Sequence, residues 1–156
     1  MSDFTAISKA NESEDVEITN MSFFPNIKIK KVREAQRIDG TVTTERLKNA
    51  IISAIITVNN DLTQWRLIQQ AQGVNSVDEL TEELIDGKSK YLHLYKHAVY
   101  CWANALINDR YLNYDATAKA VKQIEPEQQS AGDLYRDARY AIRDILGKSR
   151  STMELV

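Results

Sequence analysis

Residues 43–72, TTERLKNAIISAIITVNNDLTQWRLIQQAQ, decide the fold. Leu47, Ile51, Ala54, Ile55, Val58, Leu62 and Trp65 recur at three- and four-residue intervals, so on a 3.6-residue helix they make one apolar stripe that faces a core. Thr43 stands where its hydroxyl caps the first turn, and Gly73 ends the pattern. Ile52, Ile56 and Leu67 fall on the other side of the same helix. A solvated face carries charge there, so this second apolar side needs a cover, from within the chain or from outside it.

The same period returns at residues 89–112, where Leu92, Tyr95, Ala98, Val99, Trp102, Ala105 and Leu106 share a stripe. It returns again at 130–146, where Leu134, Ala138, Ala141, Ile142 and Ile145 face inward ahead of Gly147 at the C′ position. Asp115 is placed to cap a short helix from Ala116 that ends before Pro126. Residues 74–88, VNSVDELTEELIDGK, fit either a short acidic helix or an irregular loop. The expected fold class is all-α: a small helical bundle with two long antiparallel helices, a shorter C-terminal helix, and flexible N- and C-terminal arms.

A chain of 156 residues has the material for one domain and one core. Residues 1–22 hold Asp3, Glu12, Glu14, Asp15 and Glu17 against a single Lys9 with no periodicity, and read as a flexible acidic tail. The helical domain is expected over 23–147, and KSRSTMELV, residues 148–156, as an arm. Phe23 and Phe24 precede Pro25, whose ring disfavours helix at the residue before it and imposes an extended start. Lys28, Lys30, Lys31, Arg33 and Arg37 then form a basic patch around Glu34 and Asp39, closed by a turn at Asp39 and Gly40.

Hydrophobic residues at 43% and charged ones at 27% are near globular averages, which excludes wholesale disorder and fibrous repeats. A net charge of -2 leaves no surplus cation for tight, sequence-independent nucleic-acid binding. A lone cysteine, Cys101, excludes an internal disulfide and fits a reducing compartment. No apolar run approaches the roughly 20 residues that span a bilayer, and MSDFTAISKANESEDVE lacks the basic and apolar regions of a signal peptide. The expectation is a soluble, intracellular protein with no membrane partner.

Reactive motifs are missing: GxGxxG, GxxxxGK[ST], HExxH, GxSxG and CxxC do not occur. His93, His97 and Cys101 stand at i, i+4 and i+8, which lines three donors along one helix. A straight line cannot wrap a tetrahedral ion, and no further His or Cys supplies a fourth ligand, so neither metal nor cofactor is expected. A His97 and Cys101 dyad lacks an orienting third group and an oxyanion site, so no enzyme is expected. His93, His97, Tyr100, Cys101, Asn104, Ile107 and Asn108 share a side that carries no fixed charge, which fits either a protein contact or burial under another part of the chain. Arg136, Arg139 and Arg143 line the outer side of the last helix beside Asp133, Asp137 and Asp144, as a solvated face or as a rank of cations for acidic side chains or phosphates.

FFPNIKIKKVREAQR, then RLKNAI after a threonine cap, YKHAVYCWANALINDRY, YDATAK and DLYRDARYAIRDILGKSR follow one another in an order that resembles the head completion proteins of contractile-tailed temperate phages, the GPL-like family of head-to-tail adaptors. The likeness runs over residues 23–156 and rests on distributed aromatic, basic and alanine positions. It implies a virion protein, made in the host cytoplasm, that joins a ring of its own copies under the portal after DNA packaging, seals the head and presents a surface to the tail at the neck. The implied partners are the portal protein, neighbouring copies, tail-completion or neck proteins and, in passing, packaged DNA. Under this resemblance Lys28, Lys30, Lys31, Arg33, Arg136, Arg139 and Arg143 are candidate portal or DNA-channel contacts. Phe23, Phe24, Pro25, Ile52, Ile56, Leu67, His97, Tyr100 and Asn104 are the candidate subunit interface, and Arg150, Met153, Leu155 and Val156 a candidate portal-docking arm. The alternative is a helical DNA-binding regulatory protein. Against it stand the charge balance and the want of a short helix-turn-helix with a basic recognition helix.

Overall fold

A computed structural model of the chain describes residues 16–115 and 129–150. The elements run β1 (Glu17–Ile18), β2 (Ile27–Lys28), α1 (Ile29–Gln36), α2 (Thr44–Asp61), α3 (Thr63–Ala71), a 3-10 turn (Val77–Glu79), β3 (Leu84–Ile85), β4 (Lys88–Ser89), α4 (Lys90–Asp115) and α5 (Ala131–Leu146). The fold is mainly helical and not strictly all-α, because β1 with β2 and β3 with β4 form two antiparallel two-stranded sheets. Residues 16–22, expected in a flexible tail, instead carry β1, whose Ile18 is buried. The expected tail at 1–15, the short helix from Ala116 and the arm beyond Arg150 lie outside the described residues.

Local chemistry sets the helix ends. Thr43 Oγ1 accepts the Arg46 N–H at 3.3 Å and opens α2; Ser130 Oγ accepts the Asp133 N–H at 3.1 Å and opens α5. Gly147 closes α5 in the left-handed region at φ 68, where a side chain would be strained. The single helix expected over 43–72 is bent into α2 and α3 at Leu62. Thr63 Oγ1 donates to the Asn59 carbonyl at 3.1 Å, the back-bonding that competes with the helical ladder and bends it. Asp86 and Gly87 both adopt positive φ, 51 and 72, as a tight two-residue hairpin demands, so the acidic helix expected within 74–88 is reduced to the 3-10 turn Val77–Glu79 and a hairpin follows it.

The core forms where α4 meets its neighbours. Leu47, Ile51, Ala54, Ile55 and Val58 of α2 bury against Leu92, Tyr95, Ala98 and Val99 of α4 in one cluster. Cys101 and Ala105 of α4 meet Leu134 and Ala138 of α5 in a second. α4 is apolar on several sides because it is central, packed by α1, α2 and α5. Asp115, expected to cap a new helix, is still inside α4.

Phe23 and Phe24 are 1% and 4% exposed. Phe23 meets Phe24 edge to face at 5.1 Å and Trp65 at 5.9 Å, while Phe24 stacks on Tyr95 at 4.5 Å. Both rings fill this chain's own core, which corrects their expected place at a subunit interface; Pro25 is half-buried beside them. Burying a phenol requires partners for its hydroxyl. Tyr95 Oη donates to Asn59 Oδ1 at 2.6 Å and accepts from Asn20 Nδ2 at 2.7 Å, and Asn59 Nδ2 donates to Asn20 Oδ1 at 3.0 Å. Burial holds the Tyr95 phenol far above its ordinary pKa, so it stays a donor.

Replacing Tyr95→Phe leaves Asn59 and Asn20 without this partner. Urea unfolding is expected to show a loss of about 1–3 kcal/mol; an unchanged midpoint at unchanged slope would remove the network from the account of stability.

Candidate interaction site

The basic patch divides. Lys28 on β2 and Lys30 and Lys31 on α1 are exposed, with Lys31 in a loose 4.0 Å pair with Glu34. Arg33 is turned inward: its guanidinium donates to the carbonyls of Ile38 (3.3 Å), Asp39 (2.6 Å) and Val42 (2.9 Å), so it organises the loop between α1 and α2 and is not an open contact. Asp39 closes the same loop by accepting from the Thr41 hydroxyl and, at 2.7 Å, the Thr41 N–H, and these bonds hold its carboxyl below the usual range. Sequence reasoning missed that Lys28 has company from distant segments. Lys96 on α4 is held below its ordinary pKa first by burial and then by Lys88 on β4, with Lys28 adding a smaller repulsion against the pull of Asp78 and Glu17. No local pattern joins those three lysines.

The arginines of α5 are not an open rank either. Arg136 pairs with Asp133 and Asp137, both at 3.3 Å, and lies over the Tyr140 ring. Arg143 donates to the Ser149 carbonyl at 2.8 Å. Arg139 lies 5.9 Å from the Trp102 ring, which itself meets Tyr135 edge to face. Interleaved carboxylates leave little net positive charge on this face, which argues against the phosphate reading. Arg150, expected on a free arm, lies over the Tyr140 ring and is paired to Asp144, with Nε to Oδ1 at 3.0 Å. The Lys148 N–H donates to the Arg143 carbonyl at 2.9 Å, so the first residues after α5 are tied back to it. Met153, Leu155 and Val156 lie outside the described residues.

The neutral side of α4 is mostly covered from within. Asn104 Nδ2 donates to Gln36 Oε1 of α1 at 3.0 Å, Cys101 is 2% exposed, Ile107 is buried and Tyr100 is half-buried. His93 bonds the Ile85 carbonyl at 2.7 Å and so anchors the β3–β4 hairpin. His97 is exposed, 3.6 Å from Cys101 Sγ through Nε2. Burial, with the nearby Asp137 charge, pushes the Cys101 thiol up to about 11, the opposite of what a nucleophile or ligand needs. Among the described residues no group of three His, Cys, Asp or Glu side chains is placed to hold a metal.

What remains open is apolar. Ile52 and Ile56 of α2 and Leu67 and Ile68 of α3 are 37%, 56%, 46% and 55% exposed along the outside of the α2–α3 rod, and Leu84 and Ile85 stand out on the hairpin. Three of the four on the rod were legible from the helical period; Ile68 was missed because the bend at Leu62 shifts the phase of α3. A shallow groove of about 80 Å3 lies between α2 and α4, with Ala50, Leu106 and Ile107 as its floor and Arg46, Asn49 and Arg110 around it. No described helix is long and apolar enough to cross a membrane.

The described residues form a well-filled helical core whose surface carries apolar and mixed-charge groups and no cluster placed to hold a metal. In comparison with known proteins, residues 18–156 match the family of phage head completion proteins (GPL), and the chain belongs to that family. It is 36% identical over 133 residues to the head completion/stabilization protein of Escherichia phage P2, covering 85% of this chain and 79% of that one. It is 26% identical over 148 residues to the probable head completion/stabilization protein of Haemophilus phage HP1 (strain HP1c1), covering 95% and 97%. No solved structure matches.

Two outcomes follow from the titrating groups. Cys101 keeps its proton in the fold, so its contribution to stability is present below its ordinary value of 9.0 and lost as pH rises toward about 11. At pH 8 iodoacetamide is expected to spare the folded protein while fully labelling the urea-unfolded chain; equal rates would contradict the buried placement. Asp144 titrates below its ordinary 3.8 because of the Arg150 hydrogen bond first, then the charges of Arg150 and Lys90. The tie to residue 150 therefore persists above pH 3.8 and loosens as pH falls through the lowered value. In Arg150→Gln the Asp144 midpoint, followed by carboxyl NMR shifts, is expected to move back toward 3.8.

Proposed function

We propose that this head completion protein acts by assembling, as copies of itself, on the portal at the head–tail junction of the filled head, where it closes the exit and offers a surface for tail attachment. The supporting observation is the set of uncovered apolar side chains Ile52, Ile56, Leu67 and Ile68 on α2 and α3, beside a core that is itself well filled. Apolar side chains at that exposure gain most by being covered by protein, since interface centres are depleted in charge and rich in apolar groups. His97, the exposed member of the neutral α4 side, and the half-buried Tyr100 and Asn104 border a second, smaller patch. A ring needs two different patches, because each subunit meets one neighbour with each.

The exposed Lys28, Lys30 and Lys31, with Lys88 and Lys96 near Lys28, are the cations that meet acidic groups of the portal or the DNA passing through it. A net charge of -2 suits a conduit, since every neutralised phosphate adds a counterion-release term that holds DNA in place. Tail-completion or neck proteins are the partners on the opposite side.

Native mass measurement of the protein, of portal, and of their mixture tests this. The expected result is a multi-copy assembly on portal that is lost in Ile52→Ser/Ile56→Ser, two surface changes that cost the monomer about 0.5 kcal/mol each. Assembly on portal by that variant, equal to the unaltered chain, would overturn the reading.

A further inference from the structure

The groove between α2 and α4 has an apolar floor of Ala50, Leu106 and Ile107 and two arginines beside it, Arg46 and Arg110, both exposed. Neither arginine makes an ion pair with another described residue. That differs from α5, where Arg136 and Arg150 have carboxylates of their own. An apolar notch flanked by guanidinium groups that no described carboxylate neutralises selects a ligand that is itself apolar with one carboxylate between the apolar groups. The sequence contains such a run at residues 153–156: Met153, Glu154, Leu155 and Val156.

We propose that this groove receives residues 153–156 of a second copy, with Leu155 or Met153 on the Ala50, Leu106 and Ile107 floor and the Glu154 carboxylate between Arg46 and Arg110. Reach excludes the chain's own segment. α5 runs antiparallel to α4: Tyr135 meets Trp102, whereas Asp144, the partner of Arg150, feels the charge of Lys90 at the start of α4. The groove opens at Leu106, Ile107 and Arg110, and from Lys90 to Leu106 the helix rises about 24 Å. A fully extended chain from Arg150 carries Leu155 at most about 18 Å. The floor residues Leu106 and Ile107 also lie on a different flank of α4 from Cys101 and Ala105, which pack on Leu134 and Ala138 of α5. A segment that follows Arg150 is therefore too short for its own subunit's groove, which leaves the groove of a neighbour.

The contact is heterologous, groove of one copy against segment of the next, so it repeats around a closed ring or along a filament. It rests on the reading that copies associate, and it assigns to a neighbouring copy the segment that the family resemblance directs to the portal.

The test is a labelled peptide, SRSTMELV, titrated into the full-length protein at concentrations where it is monomeric, with helicity followed by circular dichroism. Saturable binding is expected, weakened roughly three- to fivefold when the peptide carries Glu154→Gln, as for one partly exposed ion pair. A Glu154→Lys peptide is expected to prefer the Arg46→Glu protein over the unaltered one. Absence of binding, binding that is indifferent to Arg46→Glu and Arg110→Glu at unchanged helicity, or binding to portal in place of this chain would each overturn the proposal. Multi-copy assembly on portal without peptide binding would sink this contact and leave the ring reading standing, whereas failure of the unaltered chain to assemble on portal, with peptide binding intact, would sink the ring reading and leave this contact standing.

Discussion

A phenol hydroxyl buried in an apolar core is tolerable only with its hydrogen bonds made, and most of this architecture is arranged around meeting that condition for Tyr95. The partners come from the segment between β1 and β2, through Asn20, and from α2, through Asn59. Asn20 also donates to the Pro25 carbonyl at 2.9 Å, while its own N–H bonds Asn26. One closed set of polar contacts thus fixes the turn that delivers Phe23 and Phe24 to the core, the register of α2 against α4, and the depth of Tyr95. Losing any member leaves buried polar atoms unpaired, so the network specifies one arrangement more than it adds stability.

Long periodic segments were readable because their signal is repeated. Five core positions of α2 and five of α5 come directly from three-and-four spacing, and Thr43, Ser130 and Gly147 mark ends by mechanisms that need no tertiary context. The two sheets were not readable, since a strand of two residues offers no alternation to detect; the Asp86 and Gly87 pair, a recognised hairpin signal, was the clue available and stood inside an acidic run that masked it. α1 was hidden for a related reason. Only Ile29 and Val32 of its eight residues are buried, so a basic stretch conceals a helix whose inward face is two side chains wide.

The interaction surface was legible in proportion to how local it is. Ile52, Ile56 and Leu67 could be named because a helical wheel shows what a core cannot use. Arg33 and the α5 arginines looked open in the sequence, yet whether a cation is available depends on carbonyls and carboxylates that folding brings beside it. The side of α4 without charge illustrates the same limit: neutrality indicated that something covers it, and the cover proved to be Gln36 and its neighbours on α1 as much as anything external.

The β3–β4 hairpin is tied to α4 in three ways: His93 to the Ile85 carbonyl beside the tip and, at the root, the Lys90 N–H to the Glu83 carbonyl at 2.9 Å and the Lys90 ammonium to the Glu83 carboxylate at 2.8 Å. All three ties end on the first turn of α4, the helix against which the others pack. The two-residue tip is therefore a stiff handle on the central beam of the subunit rather than a loose flap. A pull at the tip is therefore carried straight to the start of α4.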